Sequence, residues 1–421
     1  MSELLKRTDR LWRGEASTAM PDYHPFGGPR MLEELAPGVA FFKAFVNVTA
    51  VGTAEGLVLV DTGAYLPASN KLSFEAVRGW NRERLHTAVY THGHVDHAYG
   101  LPPFLAEAKS RGWRSPRIVG HVNVLPRMQR YVRTAGYNSV INTRQFGVET
   151  HWPVEYQAPT DAYADHLELQ VGGTRFQLHH AKGETDDHTW VFLPETKTLC
   201  TGDLFIWAAP NAGNPQKVQR YAVEWAAALR AMAALGPELL LPGHGLPIAG
   251  AARVQEALLD TAAYLESLVA QTLERLNAGQ SLYQILEEVR PPAALEARPY
   301  LRPVYDEPEF IVRNLWRCFG GWHSGVPSEL KPAPRAQLAH ELAQLSGGVD
   351  KLLARAQSLL AAGDARLAAH LADWAAEAAP GSREAHAVRA AVYGALVKEA
   401  SSTMSRGIYG AAARESQAKA Q

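Results

Sequence analysis

Up to about residue 250 the chain alternates short apolar runs with clusters of Gly, Pro and Asp. Gly56–Val60, Thr87–Thr91, Arg117–Gly120, Thr189–Leu193, Thr198–Thr201 and Glu238–Leu241 are rich in Val, Ile, Leu, Tyr or Phe and close on a polar or turn residue. That is the pattern of short buried strands. Segments with helical spacing, Leu101–Arg111 and Val223–Leu235, fall between some of them. Strands alternating with helices predict an α/β layer architecture. Beyond residue 250 the period changes. Val254, Leu258, Ala262, Leu265, Val269, Thr272 and Leu276 recur every three or four residues, one buried face of a long helix. Asn277-Ala278-Gly279 is its expected stop, and Arg290-Pro291-Pro292 interrupts the helical texture. After residue 348, alanine-rich helices are predicted over Val349–Ala362, Ala365–Ala378 and Ser382–Ala400, separated by Gly363-Asp364 and Pro380-Gly381. The arrangement resembles a short helical repeat suited to packing or association. The polar tail Arg414–Gln421 is expected to fray. The change of texture predicts two domains, 1–250 and 251–421.

Composition narrows the class. The 421 residues are 47% hydrophobic and 20% charged, which excludes a disordered or collagen-like chain. With 42 basic against 43 acidic residues, nothing draws the chain as a whole to nucleic acid or anionic lipid, and neither partner is expected. No stretch approaches the ~20 apolar residues of a membrane span. The first residues interleave charge with apolar side chains and hold no signal-peptide core, so a cytoplasmic protein is expected. Two cysteines, Cys200 and Cys318, are too few for a disulfide framework and are expected to be buried thiols.

The sharpest chemical feature is Thr91-His92-Gly93-His94-Val95-Asp96-His97, directly after an apolar run. Three histidines and an aspartate packed this tightly would lose stability through desolvation unless a cation compensates. His92, His94, Asp96 and His97 are therefore candidate metal ligands. His-x-His-x-Asp-His after a strand resembles the signature of the metallo-β-lactamase superfamily. Val58-Leu59-Val60-Asp61-Thr62-Gly63, Thr201-Gly202-Asp203 and Leu241-Pro242-Gly243-His244-Gly245 follow in the order of that family's further segments. The resemblance implies a four-layer αββα sandwich in which Asp203 bridges two metals and His244 supplies the last imidazole. The family's usual Gly-His-Thr is here Gly183-Glu184-Thr185, which makes Glu184 the expected third ligand. His179, His180 and His188 are the competing candidates, and Asp186 and Asp187 would orient a ligand imidazole or simply form a turn.

A carboxylate at this position resembles the alkyl sulfatases of that superfamily. Tyr305-Asp306-Glu307-Pro308-Glu309-Phe310-Ile311-Val312-Arg313-Asn314 and the following Gly320-Gly321-Trp322-His323-Ser324-Gly325-Val326-Pro327 resemble the start of their dimerisation domain. Ala362-Gly363-Asp364-Ala365-Arg366 resembles a turn between its helices. The resemblance implies an α/β metallo-β-lactamase sandwich followed by an all-α helical dimerisation domain, a homodimer, two Zn²⁺ ions, and hydrolysis of an organic sulfate. Two differences stand out. Asp203 replaces the glutamate that bridges the metals in classical alkyl sulfatases, and their third, sterol-carrier-like domain is expected to be missing.

On this reading His92, His94 and Glu184 hold one zinc and Asp96, His97 and His244 the other. Asp203 bridges them, and Asp96 or Asp203 accepts a proton during catalysis. The family holds sulfate with Asn and Arg, so Asn142, Arg144, Asn214, Lys217 and Arg220 are the expected substrate-binding residues, with Asn138 and Asn211 beside them. Arginine suits an oxyanion because its donors are forked and always charged. Phe205 and Trp207 would form either an apolar wall for the alkyl group or part of the core. Lactone, thioester or phosphodiester hydrolysis is the alternative on the same scaffold. A mononuclear iron oxygenase is disfavoured by the seven-donor set.

Overall fold

In the computed structural model, which describes residues 2–421, the apolar runs become strands of two sheets. The first sheet holds β1 (Met31–Ala36), β2 (Val39–Lys43), β3 (Val48–Thr53), β4 (Gly56–Val60), β5 (Leu85–Val89), β6 (Arg117–His121) and β7 (Asp161–Tyr163), in that order. The second holds β8 (His166–Val171), β9 (Thr174–His180), β10 (Thr189–Leu193), β11 (Thr198–Gly202), β12 (Leu239–Pro242) and β13 (Ile248–Ala249), ordered from β13 back to β8. Pairing in the first sheet is antiparallel through β4 and parallel from β4 to β7. In the second only β11 and β12 run parallel. Helices Pro67–Trp80 and Ala251–Asn277 cover the two sheets on their outer sides. This is the αββα sandwich.

Strands β2, β4, β10, β11 and β12 are buried at every position. A strand covered on both faces reads as an unbroken apolar run, and β4 and β10 coincide with the runs expected from the sequence. Strand β8 instead alternates exposed and buried residues toward its end. The gaps between runs place the chemistry, because each turn after β5, β9, β11 and β12 emerges at one edge of the sandwich.

By internal contacts the chain forms two compact units. The first comprises residues 1–135, 153–278 and 285–319 and includes both sheets and the long helix Ala251–Asn277; the second comprises 136–152, 279–284 and 320–421. Within the second unit, helices Val349–Ala361, Ala365–Ala378 and Arg383–Glu399 bury a cluster of small and aliphatic side chains, including Ala356, Ala368, Ala372, Ala375 and Val392. Alanine at these positions lets helix axes approach closely, and Asp364 and Ser382 cap two of the helices through their side chains.

Two expectations fail here. The tail from Arg414 does not fray; it ends a helix, Thr403–Ala420, whose Ser416 is buried and accepts from Arg389 Nη1 at 2.6 Å. That tie is invisible to a reading of local polarity. Cys318 is exposed, whereas Cys200 is buried and its thiol is pushed up to about 12 by burial. Among the described residues no helix is long and apolar enough to cross a membrane.

Candidate metal centre

The loop after β5 carries His92, His94, Asp96 and His97, and Glu184 lies in the turn between β9 and β10. Asp203 directly follows β11 and His244 follows β12. These seven residues, all expected donors, come together in two groups. His92, His94, Glu184 and Asp203 form one, and Asp96, His97 and His244 the other, with ligand atoms within 4.8 Å of one another in each. Asp203 also faces the second group. Its Oδ1 lies 3.3 Å from His97 Nε2, and its Oδ2 lies 3.6 Å from His244 Nε2 and 3.9 Å from His92 Nε2. Asp96 Oδ2 is 3.5 Å from His244 Nε2 and 3.8 Å from His97 Nε2. Donors about 2 Å from a shared ion stand roughly 3–4 Å apart, so the spacing fits.

The lone pairs are aimed by hydrogen bonds on the far side of each ring. His97 Nδ1 meets Asp61 Oδ2 at 2.7 Å, His244 Nδ1 meets the Phe45 carbonyl at 2.6 Å, and His92 Nδ1 meets Thr91 Oγ1 at 3.0 Å. A carbonyl or carboxylate takes a proton from the ring nitrogen it faces. In the neutral ring, Nε2 of His97 and His244 is thereby the lone pair directed at the centre. The buried carboxylate atoms Glu184 Oε2 and Asp203 Oδ1 have no hydrogen-bond donor. Converging lone pairs and orphaned carboxylate oxygens are what a divalent cation satisfies. The donor set of imidazoles and carboxylates suits zinc or another borderline metal.

Residues 43–244 match the model of the metallo-beta-lactamase superfamily, and residues 281–419 match the one described as alkyl sulfatase dimerisation. The chain thus joins a metallo-beta-lactamase domain to an alkyl sulfatase dimerisation region. It is 28% identical over 327 residues to a linear primary-alkylsulfatase of Pseudomonas sp. (strain ATCC 19151), covering 72% of this chain and 61% of the relative. It is 24% identical over 400 residues to an (R)-specific secondary-alkylsulfatase of Pseudomonas sp., covering 88% and 59%. The solved structure of a stereoselective inverting sec-alkylsulfatase from Pseudomonas sp. superposes with a TM-score of 0.83 at 21% identity, covering 93% of this chain and 66% of that one. The chain thus spans about three fifths of the length of these curated relatives.

Electrostatics in this superfamily centre are set by burial and by the carboxylates. Burial holds His92 and His94 well below the ordinary imidazole value. For His97 burial acts the same way but is outweighed by Asp203, Asp61 and Asp96, which hold it well above. His244 is raised against burial by Asp203 and Asp96. Burial would raise Asp203 and Asp96, yet His97 and His244 keep both carboxyls well below the usual carboxylate range.

The competing histidines lie elsewhere. His188 Nε2 accepts from the Asp203 backbone N–H at 3.1 Å, and the His188 ring stacks on His92 at 4.8 Å. His179 stacks on Trp190 and His180 on His121. Asp187 accepts from Gly93 N at 2.9 Å and from Arg127 Nε at 2.8 Å, so it fixes the turn between His92 and His94. Arg127 also pairs with Asp186. Asp61, Thr91, Arg127 and Gly243 are the supporting residues that sequence reasoning did not single out. Gly243 admits no side chain: a Cβ there would stand 2.3 Å from Asp203 Oδ1.

Among the residues expected to bind substrate, Arg220 faces a donor instead of open space. Its Nη1 lies 2.6 Å from Glu184 Oε1 and 2.7 Å from the Glu184 carbonyl, and Asn211 Nδ2 donates to the same Oε1. Burial pulls the Arg220 guanidinium down to about 10. Asn214 is buried, its Oδ1 accepts from Gln216 N, and its Nδ2 has no acceptor. Burial lowers Lys217 to about 8 against the attraction of Asp96. Asn142 and Arg144 lie on helix Ala135–Phe146 in the second unit, where Asn142 Nδ2 donates to the Asn138 carbonyl. Phe205 and Trp207 are core residues, the latter donating from Nε1 to the Leu246 carbonyl at 2.7 Å. Arg220→Lys keeps the charge but not the fork, and is expected to weaken metal binding about 10- to 100-fold. Competitive titration with a chromogenic chelator checks this.

Buried Lys43 braces the His244 side. Its Nζ donates to the carbonyls of Ala44 at 2.5 Å and Gly27 at 2.8 Å, which fixes the segment that sets the Phe26 ring 4.4 Å from that of His244. Burial lowers the ammonium to about 7. Between that value and about 10.4, the unfolded chain holds a proton that the folded chain does not. Stability therefore rises with pH across this window, by at most about 1.4 kcal/mol per unit. Denaturant melts from pH 7 to 9 should show Lys43→Met flattening that slope relative to wild type.

Proposed function

We propose that this chain is a hydrolase of alkyl sulfate esters, releasing an alcohol and inorganic sulfate with the help of two Zn²⁺ ions. His92, His94 and Glu184 would hold one ion, Asp96, His97 and His244 the other, and Asp203 both. Zinc supplies Lewis acidity and activates water near neutral pH. Asp96, the most open of the carboxylates at the centre with 24% side-chain exposure, is charged and able to accept a proton. Asn214 Nδ2 and Lys217 supply donors for sulfate oxygens. Asn142 and Arg144 are proposed for the same task on the sequence pattern alone. Arg220 keeps Glu184 in place.

The observation that carries this reading is Glu184. It stands in the donor group where the superfamily usually has histidine, clamped by Arg220 and Asn211 with Oε2 turned to the other donors. The matched dimerisation region and the names of the relatives support the substrate class. The same match supports a homodimer, for which light scattering should return twice the mass of one chain. The deciding experiment gives zinc-loaded protein primary and secondary alkyl sulfates with and without chelator. Chelator-sensitive sulfate release is expected. Full zinc occupancy without release from any sulfate would refute the substrate class.

A further inference from the structure

Residues 203–221 join β11 to helix Ala222–Ala234 without a helix or strand of their own, yet they carry both groups that grip Glu184. Arg220 and Asn211 meet on Glu184 Oε1, and the Tyr221 N–H donates to the Gly183 carbonyl at 3.0 Å. Irregular backbone keeps its freedom unless partners outside it hold its polar groups. A glutamate donor needs that hold more than a histidine does. Its side chain turns about three bonds, whereas an imidazole turns about two and is oriented through its own second nitrogen.

The partners come from helix Pro308–Gly320 and the turn before it. Buried Asp306 accepts at Oδ2 from Gly213 N at 2.7 Å and Asn214 N at 3.1 Å, and at Oδ1 from Glu307 N at 2.8 Å. Burial raises its carboxyl to about 7 against the pull of these N–H groups and of Arg220. A Cβ on Gly213 would stand 2.3 Å from Ile311 N, so the loop backbone lies directly on the first turn of the helix. Further along, buried Asn314 pairs with the Arg220 main chain in both directions. Its Nδ2 donates to the carbonyl at 2.9 Å, and its Oδ1 accepts from the N–H at 3.2 Å. Gln219 donates from Nε2 to the Asn314 carbonyl at 3.2 Å and accepts from Arg317 Nε at 3.1 Å. The loop is pinned at 213–214, just after Asn211, and again at 219–220. Both pins belong to the region matched to alkyl sulfatase dimerisation, not to residues 43–244.

We propose that Asp306 and Asn314 are positioning residues for the metal site, setting the clamp of Asn211 and Arg220 and through it the direction of Glu184 Oε2. The inference rests on the reading of His92, His94, Glu184 and Asp203 as metal donors. The helix acts through the loop, and the ion held with Glu184 is the one that feels it. The carboxylate donor and the helix after residue 307 therefore form one working unit, although 130 residues separate Glu184 from Asn314 in the chain.

The test titrates zinc into the full chain against a chromogenic chelator, comparing wild type with Asn314→Ala, Asp306→Ala and Asp306→Asn, and Asn314→Ala with and without Arg220→Lys. Each alanine variant should lose at least about tenfold in affinity for one of the two ions. Asp306→Asn should recover most of that loss, because its carbonyl oxygen still accepts from Gly213 and Asn214. In the Arg220→Lys background, Asn314→Ala should cost less than about threefold more, since the fork it sets is already gone. Wild-type affinity in both alanine variants, or losses that multiply in full in the double variant, overturns the positioning role and leaves the metal reading standing. Should Asn314→Ala not fold, Asn314→Asp, which keeps the acceptor and loses the donor, is read in the same way. If wild type takes up no zinc, the metal reading fails, and hydrogen exchange of the metal-free chains decides the positioning role. The Gly183 and Tyr221 amides, bonded to the Thr185 and Gly183 carbonyls, should exchange at least about tenfold faster in the Asn314 variant. Equal rates overturn it.

Discussion

An Asp203→Asn variant should bind one metal ion per chain or fewer and release sulfate at least about 100-fold more slowly than wild type. Among the described residues, Asp203 is the one carboxylate within 4 Å of imidazoles from both donor groups. The amide keeps the shape but removes the charge that holds His97 and His244 in place and offsets two cations. Its NH₂ would also aim hydrogens at nitrogens that must present lone pairs. Loss of an outer-shell partner alone typically costs 10- to 100-fold in metal affinity or activity, and loss of a shared donor exceeds that. Metal analysis after gel filtration and initial rates of sulfate release measure both effects. The Asp203 backbone N–H to His188 is untouched by the substitution, so the fold should persist, with an unchanged far-ultraviolet dichroism spectrum. Two ions per chain at wild-type rate would remove Asp203 from the donor set.

The second large effect is expected at Asp61, which touches no metal-facing atom. Its Oδ1 accepts from Thr91 N at 2.8 Å, and its Oδ2 faces Thr91 Oγ1 at 2.9 Å and His97 Nδ1 at 2.7 Å. The residue holds a left-handed backbone, φ 60°, which aspartate and asparagine tolerate better than most side chains. Asp61→Asn therefore isolates the carboxylate from the backbone. One of its two oxygens becomes an NH₂ facing either Thr91 N–H or the His97 ring. In the second case His97 turns to the tautomer with its proton on Nε2, pointing at the centre. Metal affinity should fall 10- to 100-fold, and stability by about 1–3 kcal/mol for the unmatched buried donor. Isothermal titration with zinc and denaturant melts of the metal-free chain separate the two. Asp61→Ala should be worse for folding, since alanine at positive φ adds backbone strain.

The donors and the supports were not equally visible in the sequence. The loop of three histidines and an aspartate stands out because metal ligands must be particular residue types at tight spacing after a strand. Glu184 was found through its flanking Gly183 and Thr185, which preserve the frame of the segment. Asp61 stands in a visible Asp-Thr-Gly segment, yet its bond to His97 spans 36 residues and leaves no local trace. Arg220 reads from the sequence as an anion-binding arginine, whereas its hold on buried Glu184 spans 36 residues and leaves no local trace. Strands β4 and β10 were legible as unbroken apolar runs, whereas the partial alternation of β8 passed unnoticed among polar neighbours. The closing helix was missed because burial of Ser416 depends on a neighbour, Arg389, 27 residues away.

His97 and His244 stand 147 residues apart in the chain, and their loops leave different sheets. On a ribosome adding about 5–20 residues per second, His97 emerges roughly seven to thirty seconds before His244. For most of that interval His92, His94, Asp96 and His97 precede their later partners Asp203 and His244 and would lie open to whichever transition metal is most abundant. Affinity at such a loop follows the general ranking in which copper outcompetes zinc. Selection among metals must then come from the finished geometry, so the order in which metal and sheets arrive bears on which ion the mature protein carries.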